Sequence, residues 1–448
     1  MCIRDRNQGT ATIEGGSFRG GRSLEVNNNS DVVVRGGVFG ANFDVDAASQ
    51  IELVGGEFNL NGQAFGGSSI RLSSGDLFTG TLADGSSFIF SDLASDDLRS
   101  EITLTSAALQ PTRSNPLIVD TSVEANAIRS GETLSIQTGG SVANLKVVDG
   151  TLNLEGGAVG LRSEVARGVV NVDNGSVGDL FTTFSSQVDI RGGAIGDSFN
   201  AYGSEISISG GTIGNSFRAN DGTTVNVSGG EIGSRFTADE GSTVNITGGD
   251  ISTIFTIEEG SDVSISGGVF GDSFTVGNRG SVDISGGIFD NRIALRGNAE
   301  LNLSGGTVLG TVSHFSSDVI NISGGEINGI SGSGEVNLSG GLINGLVASR
   351  LGDLNIFGTE FFIDGDLVES LDIGETLNLR GQDLTLAGTL LDGSDFEIQF
   401  GSGVSSQSFA NSVNLTLSTA VPEPSSLMLL IACLGLGTLK RRRPPATR

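Results

Sequence analysis

The sequence is poor in the residues on which most catalytic and metal sites depend. Its 448 residues contain one His (His314), one Tyr, no Trp, two Cys and six Pro. A histidine triad, a zinc cluster and a disulfide framework each need more of these residues than the chain has. We therefore expect no cofactor and no metal centre.

Basic residues are also scarce, and their scarcity limits the partners. The chain has 25 Lys and Arg against 52 Asp and Glu, a formal net charge of −27. Such a surface repels phosphate backbones, so we expect no nucleic-acid partner. Hydrophobic residues make up 37% of the chain, which is enough to build a core and argues against disorder.

Glycine is abundant, with 71 residues, and much of it lies in a regular repeat. The repeat is a Gly-Gly pair that recurs with a period of 18 in its first steps and 19 in most later ones; Asn174 replaces the first Gly of one pair. These pairs begin at positions 156, 174, 192, 210, 229, 248, 267, 286, 305, 324 and 340, and earlier pairs begin at 15, 36 and 55. Units of nearly constant length indicate a solenoid, in which each unit is one coil.

Within one unit, apolar and polar residues alternate at Val225, Asn226 and Val227, which is the period of a β-strand. If each unit is one coil, residues at equal offsets stack in columns about 4.7–4.9 Å apart. One column is predicted to be a buried aromatic ladder: Phe181, Phe199, Phe217, Phe236, Phe255 and Phe274, continued by Ile293 and Val312, with Phe43 at the same offset near the N-terminus. A second column is predicted to face outward: Asn226, Asn245, Ser264, Asp283, Asn302 and Asn321.

These columns predict an all-β fold, a parallel β-solenoid with a coil length of 18 or 19. A right-handed β-helix is favoured, because a left-handed hexapeptide helix places aliphatic residues every six positions, whereas Val225, Ile232 and Phe236 are 7 and 4 apart. The alternative is a β-sandwich of hairpins. A sandwich does not require a constant offset for Phe, so the repeat favours the solenoid.

Two related passages divide the chain into blocks. Residues 80–88 (GTLADGSSF) and 388–396 (GTLLDGSDF) each follow the end of a Gly-Gly run, and we interpret them as modules that cover the last coil. The tetrapeptide GETL also occurs twice, at 131–134 and 374–377. We predict a first, truncated block over residues 7–92, a linker over 93–115 with Pro111, a second block over 116–415 and a tail over 416–448.

The tail has three parts in a fixed order. They are a Pro-Glu-Pro motif, an apolar run from 427 to 439 and a basic cluster, formed by Val421, Pro422, Glu423, Pro424, Lys440, Arg441, Arg442 and Arg443. This order resembles the PEP-CTERM sorting signal of Gram-negative-type bacteria. The resemblance implies export, transient anchoring in the inner membrane, processing by an exosortase-type enzyme and delivery to the cell surface or extracellular matrix. The alternative for the tail is a plain C-terminal membrane anchor.

The N-terminal residues do not have the features of an export signal peptide. Residues 1–6 contain no apolar stretch of the length that an export signal needs, and the repeat has already begun at Gly15 and Gly16. We interpret residues 1–6 as a non-native start and expect the true N-terminus to lie upstream.

Several polar columns could carry chemistry. Asp179, Asp197 and Asp272 share one offset with Asn215. Paired carboxylates in such a column could cleave a polysaccharide. The alternative, which we favour, is a column of exposed turn residues with a structural role. Acidic Gly-rich repeats can bind calcium, but here the third Gly and the Asp are wrongly placed. We expect a solvated loop around His314. N-glycosylation sequons occur at Asn226, Asn245, Asn302, Asn321 and Asn337, and the outward ladder explains them without modification.

Taken together, these features predict a noncatalytic β-solenoid that acts as a structural or adhesive element of the cell surface or biofilm matrix. Its predicted partners are the processing enzyme, exopolysaccharide and other matrix proteins. The alternative is a lyase or glycoside hydrolase on a β-helix scaffold. The units from Gly210 to Gly324 are all equal in length, which argues against a cleft built from long loops.

Overall fold

The computed structural model describes residues 9–18, 24–26, 29–39, 43–91, 97–98, 100–113, 115–124, 126–315, 317–344, 351–369, 371–379, 384–400 and 410–419. Every regular element within these ranges is a β-strand. Stacked parallel strands form a β-solenoid of about 17 turns with a spacing of about 19 residues, which confirms the predicted fold class. The handedness of the coils stays a prediction.

The strands fall into three hydrogen-bonded sheets, of eight, three and 35 strands. The two smaller sheets contain β1 (Thr10–Phe18), β2 (Leu24–Val26), β3 (Asp31–Phe39), β4 (Phe43–Val45), β5 (Gln50–Leu60), β6 (Gln63–Ala64), β7 (Ser69–Ile70), β8 (Leu77–Leu82), β9 (Ser87–Ser91), β10 (Asp97–Leu98) and β11 (Ile102–Ser106). The largest sheet begins with β12 (Leu117–Val119), β13 (Ser122–Val123), β14 (Asn126–Ile128), β15 (Thr133–Gln137), β16 (Ser141–Val142), β17 (Leu145–Val148), β18 (Thr151–Val159), β19 (Glu164–Ala166), β20 (Val169–Val177), β21 (Thr182–Phe184), β22 (Gln187–Ile190), β23 (Ala194–Ile195), β24 (Asn200–Tyr202), β25 (Glu205–Ile208), β26 (Thr212–Ile213), β27 (Arg218–Ala219), β28 (Thr224–Val227), β29 (Glu231–Ile232) and β30 (Phe236–Ala238). It continues through β31 (Thr243–Ile246), β32 (Asp250–Ile251), β33 (Ile254–Ile257), β34 (Asp262–Phe270), β35 (Ser273–Val276), β36 (Ser281–Phe289), β37 (Arg292–Leu295), β38 (Glu300–His314), β39 (Val319–Gly332), β40 (Glu335–Ile343), β41 (Leu351–Ile363), β42 (Asp366–Leu367), β43 (Thr376–Leu379), β44 (Leu384–Leu390), β45 (Asp395–Phe400) and β46 (Ala410–Leu417).

One coil of the second block consists of three short strands, such as β28, β29 and β30. Each strand pairs in parallel with the equivalent strand of the next coil: β28 with β31, β29 with β32 and β30 with β33. Alternate residues of each strand point inward, because successive side chains of a strand leave on opposite faces. The inward residues are apolar with few exceptions, Thr183 and His314 among them, so the core is a continuous column along the axis.

The predicted Phe column lies in this core. Ring centroids are 5.2 Å apart from Phe181 to Phe199, 4.8 Å at each of the next two steps, and 4.6 Å from Phe236 to Phe255. The planes of the rings from Phe199 to Phe255 lie within 7° of one another at each step. The order changes at Phe274, which meets Phe255 edge-on at 83°.

The change at Phe274 has a local cause. Phe270, from an adjoining strand position, enters the core and stacks on Phe289 at 4.6 Å, and both rings also meet Phe274 edge-on. A second aromatic column thus shares the core with the first at these coils. Phe43 lies in β4, but its side chain is outside the described residues.

In most pairs, including every pair from position 174 onward, the second Gly occupies a backbone conformation that other residues rarely adopt. Gly230 has a φ of +85°, and a Cβ built there would lie 2.9 Å from the carbonyl oxygen of Gly210 in the preceding coil. The left-handed backbone and the close approach of neighbouring coils both require glycine. This accounts for the regular Gly-Gly spacing.

The two closing passages form hairpins with matching contacts. β8 and β9 pair with each other, and β8 runs antiparallel to β5; β44 and β45 pair likewise, and β44 runs antiparallel to β41. In the first hairpin the Gly37 amide donates to Asp84 at 2.8 Å and the Ser86 hydroxyl donates to the Gly37 carbonyl at 3.0 Å. Gly341, Asp392 and Ser394 repeat these bonds at 2.7 and 3.1 Å.

The first hairpin also packs against the side of the second block. Leu77 and Ile89 are buried with Val148, Ala166 and Phe184, which lie on the outer face of successive coils. Around this contact the Lys146 ammonium and the Glu164 carboxylate form a buried ion pair at 2.5 Å, and the Arg167 guanidinium donates to the Thr79 hydroxyl at 3.0 Å. The two blocks therefore share a lateral interface.

The segment predicted to link the blocks contributes to the first of them. β11, at Ile102–Ser106, pairs in parallel with β5 and antiparallel with β7. β10, at Asp97–Leu98, pairs in parallel with β4. The described part of 93–115 therefore contains two strands of the first block as well as the crossing to β12.

Candidate functional site: the polar columns of one solenoid face

Two outward columns run side by side along the strands from β25 to β39. Within each coil their members are two positions apart, with one inward aliphatic residue between them, so both point to the same outer face. We call them the amide column (Ser207, Asn226, Asn245, Ser264, Asp283, Asn302 and Asn321) and the hydroxyl column (Ser209, Ser228, Thr247, Ser266, Ser285, Ser304 and Ser323). The predicted outward ladder is the amide column.

The amide column is held by hydrogen bonds between its own side chains. The Asn245 amide donates to Asn226 at 3.0 Å, and the Asn321 amide donates to Asn302 at 2.7 Å. The ladder continues beyond the regular coils: Asn337 donates to Asn321, Asn355 to Asn337, and Asn414 to Asn355, at 2.7–2.9 Å. Each amide nitrogen carries two hydrogens. Asn321 and Asn355 use the second one on Glu300 and Glu335, whereas Asn245, Asn337 and Asn414 keep one after the ladder is formed.

The hydroxyl column is exposed, and five of its seven hydroxyls donate to the main chain of the preceding coil. Thr247 donates to the carbonyl of Val227 at 3.3 Å, Ser285 to that of Ile265 at 3.4 Å and Ser304 to that of Ile284 at 3.3 Å. Donation inward leaves the oxygen lone pairs directed away from the backbone as acceptors.

A shallow furrow runs between the two columns. One stretch of about 200 Å³ is lined by residues from Ser207 to Thr247, and the next, of about 190 Å³, by residues from Asn245 to Ser304. The two stretches share Asn245 and Thr247, so the furrow is continuous over these coils. Its floor is main chain, and its walls are amide and hydroxyl groups.

The five sequons lie on the amide column and its extension at Asn337. Asn245, Asn302, Asn321 and Asn337 each use their side-chain nitrogen as a donor to the preceding coil. They also lie within strands, and a glycan acceptor is normally found in a surface loop. These contacts support the interpretation of the sequons as a consequence of the ladder.

The Asp column is a third polar column at a coil corner. Asp179 accepts the main-chain N–H of Asp197 at 2.9 Å, and Asp197 accepts the N–H of Asn215 at 2.7 Å. Asn215 accepts the N–H of Ser234 at 3.0 Å, after which Ser234 and Thr253 separate the column from Asp272. Each side chain thus satisfies a backbone donor of the next coil, which is a structural role for these residues.

His314 is buried, and the prediction of a solvated loop was wrong. It ends β38 and lies one coil after Leu295, at an inward position of the repeat, with only 2% of its surface exposed. Neither ring nitrogen has a hydrogen-bond partner among the described residues. Burial lowers the pKa of His314 to about 4, although the nearby Asp318 carboxylate raises it.

Two clefts lie at the junction of the blocks, which the sequence did not indicate. One, of about 240 Å³, lies between Asp84 and Ser86 of the first hairpin and Arg113, Arg129 and Glu132. Burial raises the pKa of Glu132, but the hydrogen bonds and charge of Arg113, together with the main-chain N–H of Arg129, outweigh it, so the net pKa lies below the usual value. The Arg113 guanidinium and the Glu132 carboxylate are 2.8 Å apart, and Arg129 reaches the main chain of Gln110, so these groups serve the junction itself.

The second cleft, of about 270 Å³, is lined by Glu57, Thr81, Ser130 and Asp149. The Thr81 hydroxyl donates to Glu57 at 2.8 Å, and Arg167 pairs with Asp149 at 2.7 Å. Both acidic groups therefore already have partners within the interface.

The sorting motif, at 421–424 and 440–443, lies outside the described residues, as do residues 1–6. Over the described ranges no helix is long and apolar enough to cross a membrane. In the same ranges no group of three or more His, Cys, Asp or Glu side chains is placed to hold a metal ion. Comparison of the chain with protein-family models, curated proteins and solved structures gave no significant match.

Proposed function

We propose that the chain is an exported structural or adhesive β-solenoid of the cell surface or extracellular matrix. The observation that carries this proposal is the regular polar face, on which two outward columns of Asn, Ser, Thr and Asp side chains continue through every coil from Glu205 to Ser323. A surface of this kind offers many identical weak contacts along a rod, and weak contacts that act together give strong attachment.

The proposed location rests on the C-terminal motif. Its resemblance to a PEP-CTERM signal supports processing by an exosortase-type enzyme, with the membrane as a transient anchor. Exopolysaccharide and other matrix proteins are the proposed partners at the destination. The net charge of −27 is compatible with such a role, because it keeps copies of a repetitive surface apart.

A noncatalytic role is supported by the contacts of the Asp column. The carboxylates of Asp179 and Asp197 accept backbone N–H groups of the next coil, and this use of their oxygens serves the coil corner. A polysaccharide-cleaving enzyme instead needs one acid and one base facing the same glycosidic bond.

The proposed location is tested with an antibody against the second block on intact cells that produce the full protein. We expect labelling of unpermeabilised cells or of the matrix. Replacing Pro422, Glu423 and Pro424 with Ala should retain the protein in the membrane fraction, because the processing enzyme would no longer recognise it. Absence of surface labelling, with a cytoplasmic marker confirming intact cells, would contradict the proposal.

The noncatalytic role is tested in the same purified protein. Incubation with soluble polysaccharides is expected to yield no new reducing or unsaturated ends, and Asp179→Asn with Asp197→Asn should leave this result unchanged. New chain ends that disappear in the double variant would establish the enzyme instead.

A further inference from the structure

The furrow offers a polar pair at each coil: a hydroxyl on one wall, and on the other Asn at 226, 245, 302 and 321, Ser at 207 and 264 and Asp at 283. On one wall, an Asn amide has a hydrogen left over after the ladder bond, as at Asn245 and Asn302. On the other wall, an exposed hydroxyl such as Thr247 or Ser304 donates to the main chain and keeps its lone pairs. A ligand that fits this furrow must therefore supply acceptors along one edge and donors along the other.

The spacing of these groups sets a second requirement. Successive coils are one strand spacing apart, about 4.7–4.9 Å. The coils from Ser209 to Ser323 are all equal in length, so the spacing of the two columns stays constant, although Ser264 and Asp283 replace Asn in two adjacent coils. A ligand that uses several coils at once must be an extended polymer whose own repeat is close to this spacing.

The charge of the face sets a third requirement. On the strands from Glu205 to Ser323, the charged side chains of this face are Glu205, Asp262, Asp283 and Glu300. No outward position of this face on those strands is Lys or Arg. Carboxylates without compensating cations repel an anionic polymer and also a second copy of the chain, whose net charge is −27.

We infer that the furrow between the amide and hydroxyl columns binds an extended, uncharged β-linked glycan lying along the solenoid axis. This inference rests on the proposed surface role and specifies the polymer and the face. Sugar hydroxyls both donate and accept hydrogen bonds, so one glycan edge can meet the amide wall and the other the hydroxyl wall. Each contact is weak, and affinity comes from the number of coils engaged.

The inference is tested by affinity electrophoresis of the full protein in native gels containing hydroxyethylcellulose, an extended uncharged β-linked glucan. The furrow variant carries Ser228→Ala, Thr247→Ala and Ser266→Ala, which remove three adjacent acceptors from exposed positions. We expect the wild type to be retarded. The affinity of the furrow variant should be lower by at least about tenfold, as the loss of several hydrogen bonds predicts.

A matched control carries Thr237→Ala, Thr256→Ala and Thr275→Ala, which remove three stacked hydroxyls from another face of the same coils. This control should be retarded like the wild type, and the circular dichroism spectra of both variants should match that of the wild type. Gels with dextran test the shape of the polymer chain, and gels with alginate and low-molecular-weight chitosan test its charge. We expect little retardation in dextran or alginate.

Three results would overturn the inference: no retardation by hydroxyethylcellulose, equal weakening in both triple variants, or salt-sensitive retardation by chitosan alone. With any of these three results, the proposed surface role still holds if the antibody labels intact cells. Failure of that labelling contradicts the surface role independently of the gels.

Discussion

Replacing Phe236 with Ala is expected to lower the free energy of unfolding by about 3–5 kcal/mol, the range for removing a buried Phe. Phe236 is fully buried, with Phe217 stacked on one side at 4.8 Å and Phe255 on the other at 4.6 Å. Its loss leaves a cavity in the narrow core inside the coils. The neighbouring rings are held by their own strands, so they cannot move to fill it. Urea unfolding followed by circular dichroism measures the effect.

The control for this prediction is Thr237→Ala, at the adjoining outward position of the same strand. It removes a half-buried side chain and should cost less than about 1 kcal/mol. Phe236→Leu, which keeps much of the buried volume, should fall between the two. If Phe236→Ala costs no more than Thr237→Ala, the aromatic column does not stabilise the solenoid.

Acidification from pH 7 to pH 4 is expected to remove up to ~3 kcal/mol of stability through His314 alone. Its pKa is about 4 in the folded protein and 6.5 in the unfolded chain. Between these values the unfolded chain binds a proton that the folded protein does not, so stability falls as the pH falls. Above about pH 6.5 both states are neutral and the contribution is constant.

The variant His314→Leu isolates this contribution from the many carboxylates that also titrate in acid. Leu fills an apolar position and removes both unpartnered ring nitrogens, so we expect equal or higher stability at pH 7. Urea midpoints of both proteins measured from pH 7.5 to pH 4.5 should diverge as the pH falls. Parallel pH dependence would show that folding does not lower the pKa of His314.

The repeat period is a better guide to burial than local composition. The recurring offset correctly predicts that Phe217 and Phe255 lie in the core, and the same rule applied to Leu295 places His314 inward. The prediction of a loop at His314 follows the surrounding Ser residues instead. In a solenoid, neighbours one coil away determine the environment of a residue more strongly than neighbours in sequence do.

The apolar outward positions of the lateral interface, though not their partners, could also have been detected in the sequence. Val148, Ala166 and Phe184 are apolar at outward positions of successive coils, where later coils have polar residues. The first hairpin covers them with Leu77 and Ile89, whereas the corresponding positions of the second hairpin are Thr385 and Glu397. Only a three-dimensional pairing shows that these two apolar sets belong together.

The hydrogen bonding of the polar columns required coordinates. Alternation predicts that Asn245 and Thr247 face outward, and they do. It does not show which amide donates to which, or that the hydroxyls donate to the main chain of the previous coil. The furrow and its supply of donors and acceptors follow from those contacts.

The central claim, that equal offsets form straight columns, is tested by distances between paired nitroxide labels. In protein with Cys2 and Cys433 replaced by Ser, labels are placed at Ser209→Cys and at Ser285→Cys, Ser304→Cys or Ser323→Cys, which lie four, five and six coils away. We predict that the label separation grows by about 4.8 Å at each step. Unequal steps, or a separation that does not grow with coil number, would contradict the account.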